Sequence, residues 1–115
     1  MLGSVDELVI DCSAPRALAT FWAAVLGGDV HERDDDWAYI VPPGWTQLSF
    51  QRVPEPKTGK NRLHIDVAVT DIPSAVVRAE QLGARRTGTL QHSSGGSFQV
   101  LQDPEGNEWC LVRPT

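Results

Sequence analysis

Two segments of the chain alternate hydrophobic and polar residues, and each is followed by a segment with hydrophobic residues at helical spacing. The alternation at 7–12 predicts a strand with one polar and one apolar face, because successive side chains of a strand point to opposite sides. The spacing over 16–26 predicts an amphipathic helix that has Pro15 in its first turn and ends at Gly27. The apolar stripe of this helix must pack on a sheet.

The same order of elements returns in the second half of the chain. Residues 63–69 alternate as a strand, and residues 74–82 have the spacing of a helix. Asp71 or Ser74 is the predicted N-cap of this helix, and Gly83 ends it. This repetition of strand and helix indicates a duplicated module.

Turn residues mark the later strands of each half. A polar turn is predicted at 32–36 in the first half, and a flexible Ser-Ser-Gly-Gly turn at 93–96 in the second. The predicted strands are 37–41, 45–53, 87–91, 97–102 and 108–113. Each half is therefore one strand, one helix and two or three further strands.

The segment 54–61 has no hydrophobic residue and carries two prolines and a glycine, so it is the predicted linker between the copies. The first module covers about 5–53 and the second about 62–114. With 115 residues and 41% hydrophobic content, residues 1–115 are predicted to form a single domain.

Charge and composition exclude several classes of partner. The net charge is −5, and no basic stripe is present to neutralise phosphates, which argues against nucleic acid. No apolar run approaches the roughly 20 residues of a membrane span, and no signal peptide is recognisable. Cys12 and Cys110 lie in strand-like runs and are not closely spaced, as is typical of a reducing compartment. A cytoplasmic protein is predicted.

Four motifs in this order resemble the vicinal oxygen chelate superfamily, which includes glyoxalase I, bleomycin-resistance proteins and extradiol dioxygenases. They are Val9 to Cys12 with Ala19 to Gly27, Asn61 to Val67, Leu82 to Ala84, and Asp103 to Cys110. The resemblance covers nearly the whole chain and implies an α+β fold. In this fold, two tandem βαβββ modules form a half-closed barrel around a central cleft, and a homodimer is common.

Enzymes of this superfamily hold one divalent metal ion in the cleft with side chains of inward-facing strands. Carried over to this chain, the resemblance implies Glu7, His64 and Cys110 as ligands, with the remaining ligand at Gln51 or Ser49. A thiolate at Cys110 favours zinc or iron over magnesium. Glyoxalase I moves a proton with a carboxylate on its last strand, so a cysteine there argues against that activity.

Each candidate ligand also has an ordinary structural interpretation. His64 would then be a hydrogen-bonded histidine at the mouth of the cleft, Glu7 an exposed carboxylate, and Cys110 a small packing residue. Asp11 and Asp66 are predicted to point inward at matching places, where they would bind a cation or an amine. The alternative is that these two acids cap loops or pair with Arg62.

Aromatic residues suggest a second binding feature. Trp37 and Tyr39 share a strand face and are predicted to line the bottom of a pocket that binds a flat or cationic molecule. The alternative is that they belong to the core. His31 and His92 lie in polar, loop-like sequence and are predicted to be surface residues without a functional role.

These features predict a protein that binds a small organic molecule in a cleft. The predicted lining residues are Glu7, Asp11, Trp37, Tyr39, Gln51, His64, Asp66 and Cys110. In the enzyme hypothesis, a metal on Glu7, His64, Gln51 and Cys110 supports lyase, isomerase or dioxygenase chemistry on a substrate with vicinal oxygens. The alternatives are a metal-free protein that sequesters its ligand, as bleomycin-resistance proteins do, and a regulatory subunit with a filled cleft.

Overall fold

A computed structural model describes residues 1–114, which form two helices and eight strands. In chain order these are β1 (Glu7–Cys12), α1 (Pro15–Leu26), β2 (His31–Asp34), β3 (Trp37–Ile40), β4 (Gln47–Arg52), β5 (Asp66–Ala68), α2 (Ile72–Leu82), β6 (Arg85–Ser93), β7 (Gly96–Gln102) and β8 (Glu108–Pro114). The α+β class and the two βαβββ modules are confirmed. The chain divides into two compact units, unit 1 being Met1–Pro56 and unit 2 beginning at Lys57.

Unit 1 packs α1 on one face of a four-stranded sheet with strand order β1-β4-β3-β2. β1 and β4 are parallel, and the other neighbours are antiparallel. The predicted stripe of α1 is confirmed at Leu18, Phe21 and Trp22, which are buried. The rings of Phe21 and Trp22 meet edge to face with centroids 5.3 Å apart. The sheet contributes Ala38, Ile40, Leu48 and Phe50 to this core.

The end of α1 requires two consecutive glycines. Gly27 and Gly28 have φ of 91° and 90°, in the region that side chains other than glycine rarely adopt. A Cβ on Gly28 would also lie 2.8 Å from the carbonyl oxygen of Val41. The chain therefore leaves the helix close against the backbone that follows β3, and no larger residue fits there.

Unit 2 repeats the plan with strand order β5-β8-β7-β6 and α2 against the sheet. β5 and β8 are parallel, and the remaining pairs are antiparallel. Of the two predicted N-caps of α2, Asp71 is the observed one, and its carboxylate accepts a hydrogen bond from the Ser74 N–H at 3.2 Å. Hydrogen bonds from Ser74 lower the pKa of Asp71. The core of unit 2 includes Ile72, Val76, Ala79, Leu101, Trp109 and Leu111.

A bulge divides β6. The pairing of β6 with β7 shifts register between Thr87 and Gln91. Gln99, which is 2% exposed, turns its side-chain amide to this bulge and donates to the carbonyl oxygens of Thr87 at 3.0 Å and Gly88 at 3.3 Å. The buried side-chain amide of Gln99 thus gives hydrogen bonds to two backbone oxygens at the bulge.

Four sequence predictions about local structure are wrong. The strand predicted over 63–69 is confined to Asp66–Ala68. The polar run predicted as a turn at 32–36 contains strand β2, an exposed edge strand whose pairing to β3 overrides its charged composition. The strand predicted from Trp45 starts instead at Gln47. β6 extends over Arg85–Ser93 and is longer than predicted. Among residues 1–114, no helix is long and apolar enough to cross a membrane.

Candidate metal and ligand site

A cavity of about 570 Å³ lies in unit 2. Alternate residues of β7 and β8 line it, including Phe98, Val100 and Val112. The residues between them on the opposite face, such as Leu101 and Leu111, are buried in the core. The two faces of this sheet therefore have separate roles, because side chains alternate along each strand.

Three metal-ligating side chains meet at one end of this cavity. Asp66 begins β5 and lies directly beside Cys110 of β8 in the parallel register, and His64 lies two residues before Asp66. The His64 Nε2 atom lies 3.2 Å from an oxygen of Asp66. One donor atom from each of His64, Asp66 and Cys110 lies within 4.8 Å of the other two. His64 and Asp66 are exposed, whereas Cys110 is buried.

The environment of Cys110 keeps its thiol protonated. Burial raises the pKa of Cys110, and the Asp66 carboxylate raises it further by its charge and by hydrogen bonding. The Lys60 ammonium opposes this effect but does not reverse it. Reactive cysteines have a lowered pKa, so Cys110 does not have the character of an activated nucleophile. A cation placed among the three side chains would instead stabilise the thiolate.

The donor set fits a transition-metal ion. Bond lengths of about 2.0–2.3 Å place tetrahedral ligand atoms about 3.3–3.8 Å from one another. The three donor atoms lie within 4.8 Å of each other, which approaches this spacing. Imidazole, carboxylate and thiolate together suit zinc or iron, whereas magnesium prefers a shell of oxygens.

A second group of polar contacts lies beside this cluster. The Glu108 carboxylate is 3.2 Å from the Lys57 ammonium and accepts a hydrogen bond from the Asn61 N–H at 3.4 Å. Partial burial acts to raise the pKa of Glu108, but hydrogen bonds from its own backbone, Lys57 and Asn61 outweigh burial and leave the pKa lowered. Glu108 is therefore an ionised, paired carboxylate at the cavity wall.

The other predicted ligands lie in unit 1. Glu7 accepts a hydrogen bond at 3.3 Å from the side-chain amide of Gln47, which also donates to Ser49 at 3.1 Å. Gln51 is exposed and lies beside Asp11 in the register of β1 and β4. The metal-binding roles of Glu7 and Gln51 stay predictions.

Alignment of the two modules shows which of Ser49 and Gln51 corresponds to Cys110. Matching the helix N-caps, Ala14 and Asp71, places Glu7 on His64 and Val9 on Asp66. Since Val9 pairs with Ser49 and Asp66 with Cys110, Ser49 is the counterpart of Cys110.

The two acids that were predicted to point inward are therefore not at matching places in the two modules. Asp66 aligns with Val9, and Asp11 aligns with Ala68. The observed partner of Asp66 is His64, whose Nε2 atom lies 3.2 Å from its carboxylate.

The aromatic residues of β3 alternate with core residues. Trp37 and Tyr39 are half-buried, whereas Ala38 and Ile40 between them are buried. Arg33 lies over the Trp37 ring at 4.4 Å. The binding role of Trp37 and Tyr39 stays a prediction.

The two surface histidines lie in strands and not in loops. His31, in β2, stacks on Tyr39 with ring centroids 4.9 Å apart. His92, in β6, has Nδ1 2.8 Å from the Ser97 hydroxyl. Both are exposed, and strand pairing explains the error, since these hydrophilic strands have no hydrophobic alternation.

Sequence reasoning missed Lys60, Asn61 and Glu108 as cavity residues. The sequence could have indicated Glu108, because it lies two residues before Cys110 and therefore on the same strand face. Nothing in the sequence indicated Lys60 and Asn61, since their segment has the composition of a linker.

Comparison with known proteins agrees with this fold. A family model described as a glyoxalase-like domain matches residues 7–112. The chain is 30% identical over 113 residues to the glutathione transferase FosA of Serratia marcescens, covering 94% of this chain and 79% of that protein.

Solved structures resemble the chain at lower identity. A glyoxalase/bleomycin resistance protein/dioxygenase family enzyme from Burkholderia phytofirmans PsJN has a TM-score of 0.80 at 17% identity, covering 96% of this chain and 98% of that one. Protein ATC0852 from Agrobacterium tumefaciens also has a TM-score of 0.80, at 14% identity and 99% coverage of both chains. These likenesses show the fold. With the family match over 7–112, they establish that the chain belongs to the glyoxalase-like domain family of the vicinal oxygen chelate superfamily.

Proposed function

We propose that this protein binds a small organic molecule with neighbouring oxygens in the unit 2 cavity, beside a divalent metal ion held by His64, Asp66 and Cys110. The observation that carries the proposal is the meeting of these three donor atoms within 4.8 Å in one cavity. A cavity of about 570 Å³ is in the range of small-molecule sites. Zinc or iron suits the donors better than magnesium.

The side chains around the metal have separate tasks in this proposal. A bound divalent ion supplies Lewis-acid polarisation of substrate oxygens, as lyase, isomerase or dioxygenase chemistry requires. The His64 Nε2 atom and the Asp66 carboxylate oxygen are 3.2 Å apart, which is close to the separation of two neighbouring ligands of one ion. Phe98, Val100 and Val112 provide an apolar wall that excludes water from one side of the ligand.

Glu7, with Gln51 or Ser49, is the part of the predicted ligand set that lies in unit 1. The modules align Glu7 with His64, and this equivalence supports Glu7 as a further ligand. A Glu7→Gln variant that binds the metal as tightly as the unmodified protein would remove Glu7 from the ligand set. It would leave the three donors of unit 2 unaffected.

Metal content measured by elemental mass spectrometry tests the proposal. Protein purified without chelator and reloaded with zinc or iron is expected to hold about one ion per chain. His64→Ala should lose the ion, whereas His31→Ala, which removes an exposed histidine of unit 1, should retain it. No ion above background, together with ligand-induced stabilisation that chelators do not change, would favour the metal-free sequestration alternative.

Glutathione transfer is a second candidate activity. The 30% identity to the glutathione transferase FosA over 94% of this chain favours it. The expected result is metal-dependent consumption of glutathione thiol in the presence of an electrophile such as chlorodinitrobenzene, lost in His64→Ala. Turnover at the uncatalysed rate over a panel of electrophiles would count against this activity.

We also propose that the protein is a homodimer. The family resemblance and the prevalence of twofold pairs support it. Sedimentation velocity at several concentrations should give twice the 12.6 kDa chain mass. A monomer throughout would overturn the homodimer.

A further inference from the structure

Lys60 is a cation in the cavity without an ion-pair partner. It lines the cavity together with His64, Asp66 and Glu108. Among the side chains of residues 1–114, no carboxylate lies within 4.0 Å of the Lys60 ammonium, although its charge acts on Cys110. The other charged groups of the cavity have partners, since Asp66 contacts His64 and Glu108 contacts Lys57. Lys60 is therefore free to bind a negative group of a ligand.

The backbone that carries Lys60 is fixed on both sides by one carboxylate. Glu108 pairs with Lys57 on one side and accepts the Asn61 N–H on the other. Lys57 also donates to the carbonyl oxygen of Gly59, and the side chain of Asn61 donates to the carbonyl oxygen of Leu63 at 3.3 Å. These contacts hold the Lys57–Asn61 segment against β8, so binding a ligand through Lys60 does not require ordering of a free linker.

The wall of the cavity complements this charge with apolar surface. Phe98, Val100 and Val112 contribute an aromatic ring and two branched side chains, all half-buried. Ser93, Gly95 and Gly96 border the cavity at the tip of the β6–β7 hairpin. A ligand that satisfies both features has a flat apolar body and one anionic group.

We infer that the cavity selects small aromatic carboxylates and that Lys60 binds the carboxylate. This inference rests on the proposed function, because it names the ligand class of the same cavity. Lys60 is a specificity residue here, and the three proposed metal ligands line the same cavity.

Binding of benzoate and benzamide tests the inference, because the two molecules have nearly the same shape and differ in charge. Titration calorimetry on the metal-loaded protein is expected to give a dissociation constant about tenfold lower for benzoate, as a charge-assisted hydrogen bond provides. Lys60→Met should remove this preference while retaining the apolar stem of the side chain. Arg62→Met deletes the same charge from an exposed residue that does not line the cavity, and it should keep the preference.

The inference would be overturned by equal affinity for the two compounds in the unmodified protein, by a preference that survives Lys60→Met, or by no benzoate binding at millimolar concentration. Equal loss in Arg62→Met would assign the preference to net charge and also overturn the role of Lys60. Metal content measured on the same samples decides the proposed metal site separately, and an unchanged melting temperature confirms that each variant is folded.

Discussion

Asp66 contacts or influences both other residues of the candidate metal site. Its carboxylate contacts His64 at 3.2 Å and raises the pKa of Cys110. Without a cation, the carboxylate therefore favours the protonated thiol. With a cation, Asp66 becomes a third donor and its charge helps to neutralise the ion. The sequence placed Asp66 in the cleft, but the resemblance did not include it among the metal ligands.

Replacement of Asp66 by Asn is expected to weaken zinc binding by at least about tenfold, because a neutral amide replaces a charged donor. Competition with a chromogenic zinc chelator measures the change. Asp35→Asn, at an exposed acid of unit 1, is the matched control and should bind zinc as the unmodified protein does. Unchanged zinc affinity in Asp66→Asn would exclude Asp66 from the donor set.

Gly28 lies so close to the backbone of Val41 that only glycine fits at this position. Gly28→Ala would combine a φ of 90° with a Cβ 2.8 Å from the Val41 carbonyl oxygen. We expect it to lower the free energy of unfolding by about 2–3 kcal/mol. Gly44 has a φ of 71° but open space where a Cβ would lie. Gly44→Ala should therefore lower the free energy of unfolding by only about 1 kcal/mol. Urea denaturation measures both variants, and equal losses would contradict the predicted clash.

At the scale of elements, the two helices begin differently. α1 has Pro15 in its first turn and an alanine N-cap that makes no side-chain cap hydrogen bond. α2 has Asp71, whose carboxylate accepts the Ser74 N–H. Pro73 gives α2 the same preset φ in its first turn, so the two helix starts differ only in the side-chain cap of α2.

The cap of α2 predicts a dependence of stability on pH. The pKa of Asp71 is lower in the folded protein, so its ionised form stabilises the fold above the ordinary carboxyl range. This contribution is lost as the pH falls through the folded pKa. Asp71→Asn retains a cap without the charge. The stability difference between the unmodified protein and Asp71→Asn should therefore shrink from about pH 5 to about pH 2. Denaturation at each pH measures it, and a constant difference would contradict the assignment.

At the scale of the whole molecule, each unit has its own buried core. Leu48 in unit 1 and Leu101 in unit 2 are both 0% exposed. We propose, as the sequence predicts, that the chain is nevertheless one domain, and the single family match across 7–112 supports this. The half-closed barrel around a central cleft stays a prediction.

The one-domain proposal makes a calorimetric prediction. Leu48→Ala and Leu101→Ala should each lower the free energy of unfolding by about 2–5 kcal/mol, because each leaves a cavity in a packed core. If the chain is one domain, each variant should show one transition, shifted as a whole. Two transitions, of which each variant moves one, would show that the chain contains two domains.

Local sequence predicted the elements well where hydrophobic periodicity was strong. The predicted stripe of α1 includes the buried residues Leu18, Phe21 and Trp22, and one of the two predicted N-caps of α2, Asp71, is the observed one. The sequence did not predict β2 or the ends of β6, because strand pairing and not hydrophobicity determines the structure there. At the site, it found His64, Asp66 and Cys110 but missed Lys60, whose segment has the composition of a linker.

The sequence by itself determined the duplicated order of strands and helices and the fold class, because hydrophobic spacing, helix caps and turn residues act over short distances. Only the tertiary structure decided which chemistry-bearing side chains meet. The parallel register of β5 and β8 places Asp66 beside Cys110, and Glu108 holds the segment of Lys60 at the cavity. Such contacts join residues far apart in the chain, and a shift of one residue in register would turn the same side chains to the opposite face.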